Sequence, residues 1–340
     1  MRYCPDRLRA LLFLAMLFAA PHVGVCGNYF SLAEDETEPA ADFGSPCACQ
    51  PACDCCKPTF DCCDCFNGRQ RLLGLFLPSD HCFDRFISPI SNPFFFEDPR
   101  SLTEVRGTFL DNSLPSQIDG GDAQVWNGQI RGRVTDRFSV IAQRLGYLQV
   151  NQASGGGPQG FLSAPVGVKY NFYRDVANQR LASIGATYFI PSDLGPDFPI
   201  PSDGDFHLFL SGGTRIYDRG HWVSGTGFRL PANNNWGTQL WYWSNQWDYE
   251  VKDGIYGLFG INWFHWMRSA NLNSGSNVTG LDLLNIPVSG VAGNNVVSAV
   301  VGAKWKPNPH LELGSGFEFP LTDRTDILHN RLFIDAIIRY

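Results

Sequence analysis

After residue 20 the chain has no long apolar run, and that excludes a helix that crosses a bilayer anywhere in the mature sequence. Methionine is scarce at 3 residues, and charge is scarce at 17%. No cluster of lysine and arginine stands out against a net charge of −7, so the electrostatic footprint of a nucleic-acid binder is missing. Phosphate loops, dinucleotide fingerprints and nucleophile-elbow serines are absent as well. What the chain has instead is 35 glycines, 22 prolines and 14% aromatic residues, a composition suited to many short turns between strands. The mean hydropathy of −0.14 argues against a helical membrane protein. It leaves a membrane β-barrel open, because alternation dilutes apolar residues.

Arg2, Arg7 and Arg9 precede the apolar run Ala10–Ala20, which has the length of a signal-peptide core. Small residues come next, and cleavage after Gly27 is expected, making 1–27 a leader. Lipid attachment at Cys26 is the alternative, disfavoured because Val25 stands where a small residue is expected. The next segment, 28–98, is expected to be a periplasmic stretch. It carries Cys47, Cys49, Cys53, Cys55, Cys56, Cys62, Cys63 and Cys65, with Cys82 further along. Dense cysteines in an exported chain point to disulfides. Crosslinking to an intermolecular disulfide partner is a second reading, since losing Cys4 and Cys26 with the leader leaves an odd number. Soft-metal binding is a third, and the C-x-C and CC spacings do not match zinc sites. No metal or other cofactor is assigned. Leu72–Leu77 reads as a short helix or strand. Phe83–Pro99, rich in Phe and Pro, reads as an extended lead-in that partly plugs a barrel, or, through Phe94–Phe96, as an interfacial anchor.

From residue 99 to 340 one pattern repeats: about a dozen residues of period-two alternation, then a turn signal. The segments are 102–112, 121–135, 138–150, 161–173, 180–190, 205–217, 221–230, 236–249, 255–267, 295–306, 311–319 and 331–340. The last is the clearest. Leu332, Ile334, Ala336, Ile338 and Tyr340 share one face, while Arg331, Asp335 and Arg339 lie on the other. The third is the weakest, because Gln143 and Arg144 spoil either parity. In the fourth, Leu162, Ala164, Val166, Val168, Tyr170 and Phe172 are expected on one face. Connections after even segments are short and those after odd segments mostly long. That rhythm, with an even count, predicts an all-β, transmembrane, antiparallel up-and-down barrel of about twelve strands.

The closing Phe317-Glu318-Phe319-Pro320-Leu321 and the terminal strand through Tyr340 resemble the outer-membrane putative porin and phenol-degradation-pathway transporter group. The cysteine block is reminiscent of exported proteins of planctomycete-type bacteria. The resemblance implies a place in the cell outer membrane among its lipids. It also implies recognition of the terminal strand, with Tyr340 as the signal, by the barrel-assembly machinery.

An enzyme is disfavoured. His221 and Ser224 fall on opposite faces of a strand, and His207 and Ser211 are too far apart along one. The inward parity instead nominates a pore lining of Arg131, Arg133, Lys169, Arg215, Arg229, Lys304, Glu312, Glu318, Asp335 and Arg339. The expected function is passive passage of small solutes, anionic or neutral. The alternative is a surface-anchored structural barrel crosslinked through its cysteines.

Overall fold

The structure, a computed structural model, describes residues 71–191, 203–272, 275 and 277–340. The expected leader and the cysteines from Cys47 to Cys65 lie outside the described residues. The strands are β1 Glu104–Ser113, β2 Asp122–Arg133, β3 Phe138–Asn151, β4 Gln159–Phe161, β5 Pro165–Asp175, β6 Arg180–Phe189 and β7 Asp205–Tyr217. They continue with β8 Gly220–Pro231, β9 Gln239–Lys252, β10 Ile255–Arg268, β11 Asn295–Asn308, β12 Leu311–Pro320 and β13 Asn330–Arg339. β4 and β5 both pair with β3, one at Tyr147–Gln149 and the other at Phe138–Ala142, so they are two pieces of one stave. Twelve staves result, each antiparallel to its sequence neighbours.

The seam is β13 on β1. Its register runs unbroken from Glu104↔Arg339 to Ser113↔Asn330, and it removes the last open edge. Closure matters because an unpaired strand edge has no hydrogen-bond partner in hydrocarbon. The sequence pattern explains which face turns out. Val105, Ile130, Val168, Leu208, Phe259, Val301, Ile334 and Ile338 are each 42–46% exposed, and other outward apolar residues such as Trp126, Val166, Ile184 and Phe317 are exposed with them. An exposed apolar band running round the whole barrel is a lipid-facing surface, not a surface for water. The connections at one end are short (134–137, 176–179, 218–219, 253–254, 309–310), and those at the other are mostly longer.

Two departures from simple alternation are informative. The irregular parity of segment 138–150 is a β-bulge: the β2–β3 register slips between Gly128 and Ile130, opposite Gln143 and Arg144. Gln143 and Leu148 are both buried as a result, although five residues apart, while Leu145 between them is 49% exposed. The second departure corrects the reading of 161–173 as one strand. Phe161 is 70% exposed and Leu162 only 4%. The chain leaves the ladder at 162–164 and rejoins it at Pro165, which has no N–H to contribute. That slip of one residue turns Leu162 inward.

An Arg at Ile334, mid-strand on the outer face, is expected to cost about 2–4 kcal/mol in a bilayer. Denaturant unfolding in lipid vesicles, tracked by tryptophan fluorescence, measures it. An unchanged midpoint would show that this band does not face lipid.

Candidate functional site

The barrel interior is filled by the chain itself. Residues 71–77, expected as a helix or strand, form a tight turn in which Leu72 N donates to Phe76 O at 2.8 Å. The chain then passes through a neck at the short-turn end. Leu77 N donates to Arg133 O at 2.7 Å, Ser79 N to Tyr340 O at 2.6 Å and Asp80 N to Ser101 O at 2.9 Å. Thr103 N donates back to Ser79 Oγ at 3.0 Å. Residues 80–101 are thus a loop closed at its base and lodged in the lumen.

Its apolar side chains explain part of its hold. Phe83, Phe86, Ile87, Ile90, Phe94, Phe95 and Phe96 are at most 1% exposed. Each is worth about 1.5–3 kcal/mol relative to exposure. The aromatic trio therefore packs inside the barrel and is no interfacial anchor. Wall glycines make the room: a Cβ at Gly225 would lie 2.6 Å from the Phe96 ring, and one at Gly213 would lie 2.9 Å from Phe86.

The prolines explain another part. A loop inside a barrel has no sheet to satisfy its backbone, so every buried N–H and C=O needs another partner. Proline removes donors outright. The remaining carbonyls accept from wall side chains: Arg106 Nη2 to Pro89 O at 2.8 Å, Gln129 Nε2 to Pro93 O at 2.9 Å, and Asn171 Nδ2 to Pro99 O at 3.1 Å. Tyr242 Oη donates to Phe95 O at 2.8 Å.

Charge is the third part. Among the described residues the strands bury nine cations (Arg106, Arg131, Arg133, Lys169, Arg229, Lys304, Lys306, Arg331, Arg339) against six carboxylates (Glu104, Asp205, Asp248, Glu312, Glu318, Asp335). The inserted loop adds carboxylates where the wall has cations. Glu97 receives Arg131 Nε and Nη2, both at 2.7 Å, Lys169 Nζ at 2.9 Å and Gln143 Nε2 at 2.8 Å. Asp98 pairs with Arg100 of the same loop at 2.7 Å. Burial alone would raise both carboxyl groups; Arg131 and Lys169 beside Glu97, and Arg100 beside Asp98, outweigh it and hold both well below the usual carboxylate range. Their contribution is present at neutral pH and is lost only as pH falls through those lowered values.

Of the residues nominated from sequence, nine are buried inside the barrel. Arg131 pairs with Glu97 and Glu104, and Lys169 with Glu97. Lys304 bridges Glu312 and Asp335, and Arg339 bridges Glu312 and Glu104. Glu318 accepts from Asn262 Nδ2 at 2.8 Å, and Arg133 reaches Asp136 at the rim. Arg229 donates to Leu281 O at 2.6 Å. Arg215 is the exception: it is exposed at the short-turn rim, where the β7–β8 register slips. Cys82 is buried, and its Sγ accepts from Arg174 Nη2 at 2.8 Å.

At the long-loop end, residues 277–294 fold inward. Leu281, Leu283, Val288 and Val291 join an apolar cluster with Leu240, Phe264, Trp266, Leu328 and Phe333. Its Asp282 binds Arg331 at 2.9 Å. Sequence parity could not reveal Glu97, Asp98 or Asp282, which lie on no strand. Arg106 and Lys306 do lie on strands, and inward parity was the available signal for them, whereas the bulge beside Gln143 hid its face.

The histidines that invite a catalytic reading have other partners. His207 lies between Thr187 Oγ1 at 3.2 Å and Tyr242 Oη at 2.9 Å. His221 pairs with Asp248 at 2.8 Å and packs its ring 4.5 Å from that of Phe86.

No protein-family model matches this chain, and no curated protein matches it. Among solved structures it is similar to the NanC porin, at 7% identity and a TM-score of 0.44 over 70% of this chain and 99% of that one. The KdgM porin gives 7% and 0.43 over 70% and 99%. The translocator domain of the autotransporter NalP from Neisseria meningitidis gives 9% and 0.42 over 72% and 91%. At these values the likeness is one of general form; the barrel assignment stands on the closed ladder.

Arg131→Met leaves Glu97 with half its cationic partners and is expected to lower stability by about 3 kcal/mol. Adding Glu97→Gln should return part of that loss, because the two residues share one interaction. Denaturant midpoints of the single and double variants in vesicles decide it. Equal destabilisation in both would show that the carboxylate is not the cause.

Proposed function

We propose that the protein is an outer-membrane channel for small solutes, held shut in this conformation by residues 80–101 and 277–294. The observation that carries the reading is the chemistry of the wall. A barrel serving only as an anchor has no need of a charged interior, since a packed apolar core does that work at lower desolvation cost. Here the inward faces of the strands carry buried arginines, lysines, carboxylates and amides. The filling is not intrinsic to the staves but inserted as a loop on a neck. Several wall groups are not matched by that loop: the Asn127 side-chain amide, Ser139 Oγ and Ser211 Oγ are buried without a hydrogen-bond partner among the described residues. Unmatched polar valences suit a surface made for contact with water and solute, and are costly in a permanent core.

On this reading the short-turn end, where the neck and Tyr340 meet, faces the periplasm. The cysteine-rich segment lies on that side, and β13 is the strand engaged by the assembly machinery during insertion.

Gly225→Val tests the reading without altering a charge or the lipid-facing surface, because its side chain needs the space of the Phe96 ring. The unmodified protein in planar bilayers is expected to give rare conductance steps, and Gly225→Val frequent ones, with heat-modifiable gel mobility confirming that both are folded. A silent bilayer from both folded proteins would sink the channel assignment.

A further inference from the structure

The wall holds a complete receptor for one carboxylate, and its present occupant belongs to the chain. Glu97 comes from the inserted loop, whereas all its side-chain donors come from the strands. Arg131 on β2 grips both oxygens in the planar, two-pronged way that suits carboxylates. Lys169 on β5 adds a second bond to Oε1, and Gln143 on β3 adds a second to Oε2. Four donors thus meet the roughly four lone-pair positions of a carboxylate. Gln143 takes part because the bulge beside it keeps its side chain inward while the rest of β3 changes parity. Bulges at such positions commonly re-aim a side chain.

When the loop leaves, these donors lose most of their acceptors. Arg131 retains only its share of Glu104, at 2.9 Å, and Lys169 loses Glu97 together with the Asp98 carbonyl it holds at 2.6 Å. Two cations would then face the lumen with less than one carboxylate between them. A neutral solute does nothing for that charge. A phosphate or sulfate has more acceptor positions than the site has donors. A monocarboxylate of modest size restores the full set of bonds.

We propose that Arg131, Gln143 and Lys169 form a carboxylate-binding site on the solute path, and that Glu97 occupies it in the closed state as an internal stand-in for a small monocarboxylate solute. This rests on the channel reading above. It makes the loop a competitor of the solute, so that a carboxylate at this site favours the displaced loop.

The test pairs gluconate, a monocarboxylate, with sorbitol, a neutral solute of similar size. In the unmodified protein, amide hydrogen exchange of residues 84–98 is expected to rise with gluconate. It should not rise with sorbitol, nor with chloride at equal ionic strength. In vesicles carrying Gly225→Val, gluconate is expected to cross about tenfold faster than sorbitol, the scale of one charge-assisted hydrogen bond. Lys169→Gln in that background should narrow the ratio. Equal exchange in gluconate and chloride, or equal flux of gluconate and sorbitol through conducting channels, overturns the carboxylate site and leaves the channel standing. Absence of conductance from both proteins overturns the site and the channel together.

Discussion

The interior of this barrel depends on cancelling buried charge between two separate parts of one chain. The protein as a whole is acidic, yet the inward surface of its strands carries a surplus of cations. In a low-dielectric interior such a surplus is tolerated when each cation meets a counter-charge or an oriented acceptor at close range, as Arg229 and Lys306 do with loop carbonyls. The inserted loop provides Glu97 to Arg131 and Lys169, and the long loop provides Asp282 to Arg331. Between them, Lys304, Arg339, Glu104, Glu312 and Asp335 link β1, β11, β12 and β13 across the closing seam. The electrostatic network therefore ties together both the barrel closure and the occupation of the lumen.

The composition of the inserted segment reflects where it sits. A backbone buried in this lumen has no neighbouring strand to pair with. Proline reduces the number of donors to be satisfied, and a wall rich in arginine, glutamine and asparagine supplies donors for the carbonyls that remain. Phenylalanines then fill the volume that twelve staves enclose, too wide for wall side chains alone to fill as they do in eight-stranded barrels. The small residues Gly213 and Gly225 are the complementary feature on the wall.

The strands were legible in the sequence because period-two alternation is a local signal, and on β13 it assigned every residue from Arg331 to Tyr340 to its observed face. It failed where the ladder itself is irregular. Gln143 and Arg144 spoiled the pattern because a bulge lies there, and Leu162 was given the wrong face because a break before Pro165 shifts the count by one. Arg215 fits the inward parity but lies where the wall ends. The loop was harder to place. Phe83–Pro99 has no periodicity, and nothing local tells a phenylalanine in a lumen from one in a bilayer interface. Inward charges were legible as inward, but their partners depend on contacts some seventy residues away, as between Glu97 and Lys169. Sequence spacing does not encode such pairings.

The neck carries one more consequence. Because Asp80 and Ser101 are joined at the rim, a loop displaced as proposed cannot diffuse away; it can only swing out and return. For the wall it is a ligand on a short leash, at an effective concentration on the order of millimolar whatever the amount of protein. A solute that meets the same wall groups therefore contends with a constant internal standard. On the proposed reading, the barrel responds to solute abundance on that scale and is indifferent to traces.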